Sequence, residues 1–167
     1  YKEADGSNFK GTPKQDLPTT YTKGIKTTLI TGSNIYREGY EFKGWYLDTA
    51  FSTSASLSAT FDTTNYNDSL TITLYAKWAQ ANWIVTNKTT GAVKYLEKFN
   101  QILDTNCDVE YKLLNNFTPT TRIAIGNVTS TNFGNVIIDL NGYTLTVPSG
   151  SATTYGFFTT HNKTTGT

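Results

Sequence analysis

The chain of 167 residues carries 14 Lys and Arg against 13 Asp and Glu, and a formal charge of +1 supplies no field to gather nucleic acid or an anionic membrane. Charged residues are only 16% and aromatic residues 14%, with Thr at about one position in five, so the surface is neutral and hydroxyl-rich and the chain leans toward strand. One Cys, Cys107, makes no internal disulfide, and that thiol with the single histidine, His161, makes no zinc site, so no metal or cofactor is expected.

In chain order, Gly6, Gly11, Pro13 and Pro18 punctuate the first two dozen residues, which suits one short strand near Tyr1 followed by loop. Ile25, Leu29 and Ile30 then precede a turn at Thr31, Gly32, Ser33 and Asn34, and Glu41 to Leu47 carries the large apolar residues Phe42, Trp45 and Leu47. That pattern predicts two strands around a loop. After a polar stretch over 48–69, Leu70, Ile72, Leu74, Ala76 and Trp78 alternate with other residues, which predicts a strand over 70–78 with these five on one face. A module boundary is expected at 79–82, with 79–91 serving as linker and entry strand through Trp83, Ile84 and Val85.

Ala92, Tyr95, Leu96, Phe99, Ile102 and Leu103 recur at spacings of three and four, which predicts an amphipathic helix over 92–103, ended by Asp104, Thr105 and Asn106. Short strands are expected at Val109 to Leu114, Ile123 to Ile125, Val136 to Leu140 and Tyr143 to Val147. Asn141 and Gly142, lying between apolar runs, would by themselves predict a tight hairpin.

Two resemblances bear on these elements. Gly39, Tyr40, Glu41, Phe42, Lys43, Gly44, Trp45 and Tyr46, followed by Leu74, Tyr75, Ala76, Lys77 and Trp78, resemble the paired motifs of the Listeria-Bacteroides repeat family, the internalin B-repeat type. The resemblance covers 1–78 and implies a β-grasp module that serves as spacer or adhesive repeat on secreted bacterial surface proteins. Over 92–167, the segment Val136 to Leu145, with Asp139, Leu140, Asn141 and Gly142 at its centre, resembles the start of right-handed parallel β-helix regions in bacterial surface proteins. That second resemblance implies that the helix over 92–103 caps the first coils and that the Asn-Gly pair turns a corner where a hairpin would otherwise form. The fold class expected is therefore mainly β (α+β), a β-grasp-like module followed by a cap helix and the first coils of a β-helix.

Little in the chain suits catalysis. His161 stands in a polar run near the last residue, and Asp139 and Arg122 are the sole candidates for a carboxylate and cation of the kind that β-helix lyases use. Asp139 is expected to accept from backbone donors at a coil corner. Asp104, Asn106, Asp108 and Glu110 resemble half of a calcium loop but lack its Gly and final Glu, and Asp62, Asn65, Asn67 and Asp68 read as turn residues. Trp45 and Trp78 are expected in the core, since a small module needs its large side chains inside, and Tyr36, Tyr40 and Tyr46 are the candidates for exposed ligand contact.

The sequence thus points to a non-catalytic spacer and adhesin, extracellular and held at a bacterial cell surface or wall. Its expected partners are a host-cell or matrix protein or glycan, with self-association of repeats as a further option and with no nucleic acid and no membrane span. The alternatives are the N-terminal part of a carbohydrate-active β-helix protein, lyase or hydrolase, and a subunit of a self-assembling extracellular filament.

Overall fold

The structure is a computed structural model that describes residues 1–22, 25, 27–56, 60–61, 71–99, 108–120, 123–125, 135–146 and 158–160. It divides into two compact units, Tyr1–Gln80 and Ala81–Thr167. Both are built of short strands, and the sole helical element among the described residues is a 3-10 turn at Gly32–Asn34. No sheet closes into a barrel among the described residues.

In the first unit the strands are β1 (Lys2–Glu3), β2 (Thr12–Pro13), β3 (Thr27–Thr28), β4 (Ile35–Tyr36), β5 (Tyr40–Tyr46), β6 (Ser54–Ser56), β7 (Thr60–Phe61) and β8 (Tyr75–Gln80). The main sheet runs β1-β8-β5-β6, with β1 parallel to β8 and β5 antiparallel to both β8 and β6. Two small ladders, β2 with β4 and β3 with β7, complete the unit. The strand expected over 70–78 starts only at Tyr75, although Leu74 already accepts the Lys2 amide at 2.9 Å.

Strand β5 would point Phe42 and Trp45 to opposite faces if it kept a period of two. A register shift between Phe42 and Gly44 inserts one extra residue, so both rings reach the same core. Gly44 holds φ 127 there, a conformation that side-chain-bearing residues rarely take. Trp45 is fully buried, with Tyr1, Phe9 and Phe42 packed at ring-centroid distances of 4.9, 5.0 and 5.1 Å, and its Nε1 donates to the Ile30 carbonyl at 2.9 Å. Leu29, Ile35, Leu74 and Ala76 fill the rest of this core.

The second unit contains β9 (Trp83–Asn87), β10 (Val93–Leu96), β11 (Val109–Leu113), β12 (Ile123–Ile125), β13 (Val136–Asp139) and β14 (Phe158–Thr160). Its sheet order is β10-β9-β11-β13, antiparallel up to β11 and parallel from β11 to β13. Trp83, Val85, Val109, Tyr111 and Leu113 form the core, and Leu96, Phe99, Phe117, Ile138 and Leu145 pack against it.

The helix expected over 92–103 is corrected at its first turns, because Val93–Leu96 is a strand paired antiparallel with β9. The local turn decides the matter. Asn87 Oδ1 accepts from the Thr89 and Thr90 amides at 2.9 Å each, the Gly91 amide donates to the Asn87 carbonyl at 2.8 Å, and Gly91 sits at φ 73, so the chain reverses directly into β10. Leu96 and Phe99, which set the helical spacing, satisfy it by packing on the Trp83 cluster. Residues 100–107, and with them Ile102, Leu103, Asp104, Asn106 and Cys107, lie outside the described residues, as do Asp62, Asn65, Asn67, Asp68, Leu70, Arg122 and His161.

Parallel pairing recurs through the second unit. Val109 pairs with Val136, Phe117 bridges Leu145, and Ile123 pairs with Phe158, each in parallel. Side chains follow the first two pairings: Asp108 Oδ1 accepts from the Asn135 amide 27 positions on at 2.7 Å, and Asn116 Oδ1 accepts from the Thr144 amide 28 positions on at 2.8 Å. The entry to each of these two pairings is therefore tied to its neighbour by an Asp or Asn side-chain oxygen, which adds to the hydrogen bonds of a short ladder.

Candidate functional site

The three tyrosines singled out by sequence fall in three different settings. Tyr36 lies on β4 opposite Thr12, in a ladder separate from the main sheet. Tyr40 and Tyr46 occupy the two ends of β5, and each meets a cation. The two cation clusters differ in whether the cation also meets a carboxylate.

At the first end, the Arg37 guanidinium lies 4.1 Å from the Tyr40 ring centroid and 5.3 Å from that of Trp78. Its Nη1 also donates to Glu3 Oε2 at 3.2 Å, and Glu3 Oε1 accepts the Lys10 amide at 2.7 Å. Glu3 is only 6% exposed, so its charge is compensated by a cation and an amide at once. Gly39 at φ 75 lets the chain turn between Arg37 and Tyr40, whose amide donates back to the Arg37 carbonyl at 3.1 Å. This cluster clips β1 to β5 and β8, and Tyr40 serves the clip.

At the second end, Tyr46 and Phe51 meet edge to face at 5.2 Å with an interplanar angle of 69°. Lys77 Nζ sits 5.2 Å from the Tyr46 centroid and 5.3 Å from that of Phe51. Lys77 has no carboxylate partner among the described residues, whereas Lys43, Lys88 and Lys112 each lie within 3.3 Å of one. In the β5–β8 ladder Lys77 stands opposite Gly44, where a Cβ would meet only Tyr46 Cε2 at 3.8 Å, so the sheet beside the ammonium is bare.

A five-residue loop builds this corner. Asp48 accepts from the Ser52 amide through Oδ1 at 3.0 Å and from the Thr53 amide through Oδ2 at 2.7 Å, and the Leu47 amide donates to the Thr53 carbonyl at 2.9 Å. These bonds, the Ser52 amide foremost, hold the Asp48 carboxyl below the usual carboxylate range. Phe51 is thereby fixed at φ 58, an uncommon conformation for a bulky residue, and its ring is delivered to Tyr46. Lys77 falls within the second repeat motif and Phe51 outside both, and nothing in the motif marks either as a contact residue; the Asp48, Ser52, Thr53 spacing is the only sequence signal of the loop, and it names no ring.

Leu74, Ala76 and Trp78 belong to or pack on the core, and Tyr75 pairs with Tyr46 across the ladder. In the second unit the Asp139 corner is held by contacts within the chain. Asp139 Oδ1 accepts the Asn141 amide at 2.8 Å, Lys112 Nζ lies 3.3 Å from its Oδ2, and these two contacts, the amide first, lower its pKa. Asn141 and Gly142 hold φ 50 and φ 80, and the Tyr143 amide closes the turn on the Leu140 carbonyl at 2.8 Å. That is hairpin-turn geometry, yet no hairpin follows: Leu145 pairs in parallel with Phe117, and Asn141 Nδ2 donates to the Leu113 carbonyl at 3.0 Å.

Among the described residues no three His, Cys, Asp or Glu side chains converge as a metal site would require, and no helix is long and apolar enough to cross a membrane. A cleft of about 330 Å³ lies between Tyr1, Pro18, Thr20, Leu29 and Leu74 in the first unit, and the Tyr1 hydroxyl donates to the Pro18 carbonyl at 2.7 Å.

The family model of the Listeria-Bacteroides repeat domain matches residues 3–77, which spans the main sheet of the first unit from Glu3 to Lys77. That repeat family is typical of bacterial surface proteins. No curated protein and no solved structure matches the chain.

Proposed function

We propose that this chain is a non-catalytic part of a secreted or wall-associated bacterial surface protein, in which a β-grasp repeat module precedes the first coils of a right-handed parallel β-helix. Its work is to space and to attach: stiff, weakly charged modules hold contact faces away from the cell, and many weak contacts along the parent protein add up by multivalency. The partner class is a host-cell or matrix protein or a glycan.

The observations that carry this reading are the repeat match over 3–77 and the parallel pairings of the second unit, Val109 with Val136, Phe117 with Leu145 and Ile123 with Phe158. Stacked-coil architectures grow by adding one repeating unit onto its neighbour. Asp139 and its neighbours are consumed by corner hydrogen bonds, which supports structure over chemistry at that motif.

Beads coated with the 167-residue chain at increasing density, applied to epithelial cells, matrix proteins and immobilised glycans, test the proposal. Attachment that rises steeply with coating density, without release of sugar from polysaccharide substrates, is the expected result. Turnover of a polysaccharide by the chain, or beads that attach to none of these surfaces, overturns it.

A further inference from the structure

We propose that the corner formed by Tyr46, Phe51 and Lys77 binds an acidic sugar, a uronic or sialic acid residue of a glycan, an inference that rests on the attachment reading above. Four features converge on this ligand. The two rings meet edge to face at 69°, and an aromatic face packs against the C–H face of a pyranose. Lys77 Nζ is nearly equidistant from the two centroids, at 5.2 and 5.3 Å, so a pyranose resting against either ring brings a ring-borne carboxylate within reach of the ammonium.

Charge supplies the third feature. Lys43 on the neighbouring strand is paired with Glu41 at 2.9 Å, whereas Lys77 has no carboxylate partner among the described residues and is open to one brought by a ligand. The fourth is the backbone: Gly44 leaves the sheet bare opposite Lys77, and Asp48 holds Phe51 at φ 58 through the Ser52 and Thr53 amides. A bulky residue fixed in a sparsely populated conformation by a dedicated carboxylate is the kind of local strain that marks a site built for contact. Arg37 and Tyr40, at the other end of β5, offer a comparison in which Glu3 already occupies the ligand's place.

The test titrates the 167-residue chain with tetragalacturonate, with its methyl ester and with tetraglutamate, following amide shifts by heteronuclear NMR. Tetragalacturonate is expected to shift resonances of Tyr46, Phe51 and Lys77, with the neutral ester and the peptide at least tenfold weaker. Lys77→Gln and Phe51→Gly are each expected to weaken tetragalacturonate binding at least tenfold with the dispersed spectrum intact, and Lys43→Gln is expected to leave it unchanged. Equal affinity for acid and ester, equal affinity for tetraglutamate, an unaffected Lys77→Gln variant, or no shift at millimolar sugar each overturns the proposal. Beads bearing Lys77→Gln that attach to cells as well as the parent chain refute this site and leave the attachment reading standing. Sugar binding by a chain whose beads attach nowhere does the reverse.

Discussion

The two buried tryptophans differ in one hydrogen bond, and that difference predicts unequal responses to the same substitution. Trp45 and Trp83 are both fully buried, but Trp45 Nε1 donates to Ile30 whereas Trp83 Nε1 is buried without a partner among the described residues. Replacing Trp by Phe removes roughly 40 Å³, which at ~24 cal/mol per Å³ costs about 1 kcal/mol in cavity, with about 1 kcal/mol more in lost burial. At Trp83 the substitution also removes a desolvated donor that costs the folded state about 1–3 kcal/mol, so the net change is within about 1 kcal/mol of zero. At Trp45 it strands the Ile30 carbonyl instead and adds about 1 kcal/mol, for a total near 3 kcal/mol. Urea unfolding followed at the amides of Phe42 and Ala76 for the first unit, and of Val85 and Tyr111 for the second, measures both. A Trp83→Phe loss equal to or larger than the Trp45→Phe loss would refute the reasoning.

Other residues carry predictions of their own. Arg37→Met leaves the Glu3 carboxylate buried with only the Lys10 amide and is expected to cost about 2–3 kcal/mol, and adding Glu3→Gln is expected to restore part of it in the same urea experiment. Because the Asp48 carboxyl titrates below its ordinary value of 3.8, the loop it caps is fully held above that pH and released as pH falls through the lower folded-state value. The Ser52 and Thr53 amide shifts are therefore expected to move with a common midpoint below 3.8, and a midpoint at or above it contradicts the cap. At the second-unit corner Asn141→Ala loses the bond to Leu113 and puts at φ 50 a residue that tolerates the left-handed region less well than Asn, for about 2 kcal/mol, whereas Asn141→Gly loses only the bond, about 1 kcal/mol. Thermal unfolding that ranks Ala above Gly would overturn that account.

What could be read in advance follows from which interactions are local. The large residues of the repeat motif name the first core almost completely, since burial of Phe42, Trp45, Leu74 and Ala76 follows from hydrophobicity and a short module's need for them. The bulge that lets Phe42 and Trp45 share a face is implied only by Gly44, and a glycine in a strand has several explanations. The place of Tyr46 outside the first core was legible, because it lies one position beyond Trp45 on β5. Its partners were not, because Lys77 reaches it across a ladder and Phe51 through a loop whose left-handed residue carries a side chain that ordinarily argues against that conformation.

The strand at Val93–Leu96 shows how a correct periodicity leads to the wrong element. Spacings of three and four among Tyr95, Leu96 and Phe99 fit one helical stripe, but they fit equally a strand whose next apolar residue lies just beyond its end. Propensity decides little there, since Val and Tyr favour strand while Lys and Leu favour helix. The arbitration comes from residues before the segment: Asn87 accepts two amides, Gly91 adopts φ 73, and the reversal sets Val93 opposite Thr86, which uses in a ladder the residues that a first helical turn would need. Asn141 and Gly142 are the complement of that case. There the same turn chemistry, with both residues at positive φ, yields no hairpin, because Leu145 finds a parallel partner in Phe117 and Asn141 is tied to Leu113. A turn sets the direction in which the chain leaves, and the nearest unpaired strand edge decides what it pairs with.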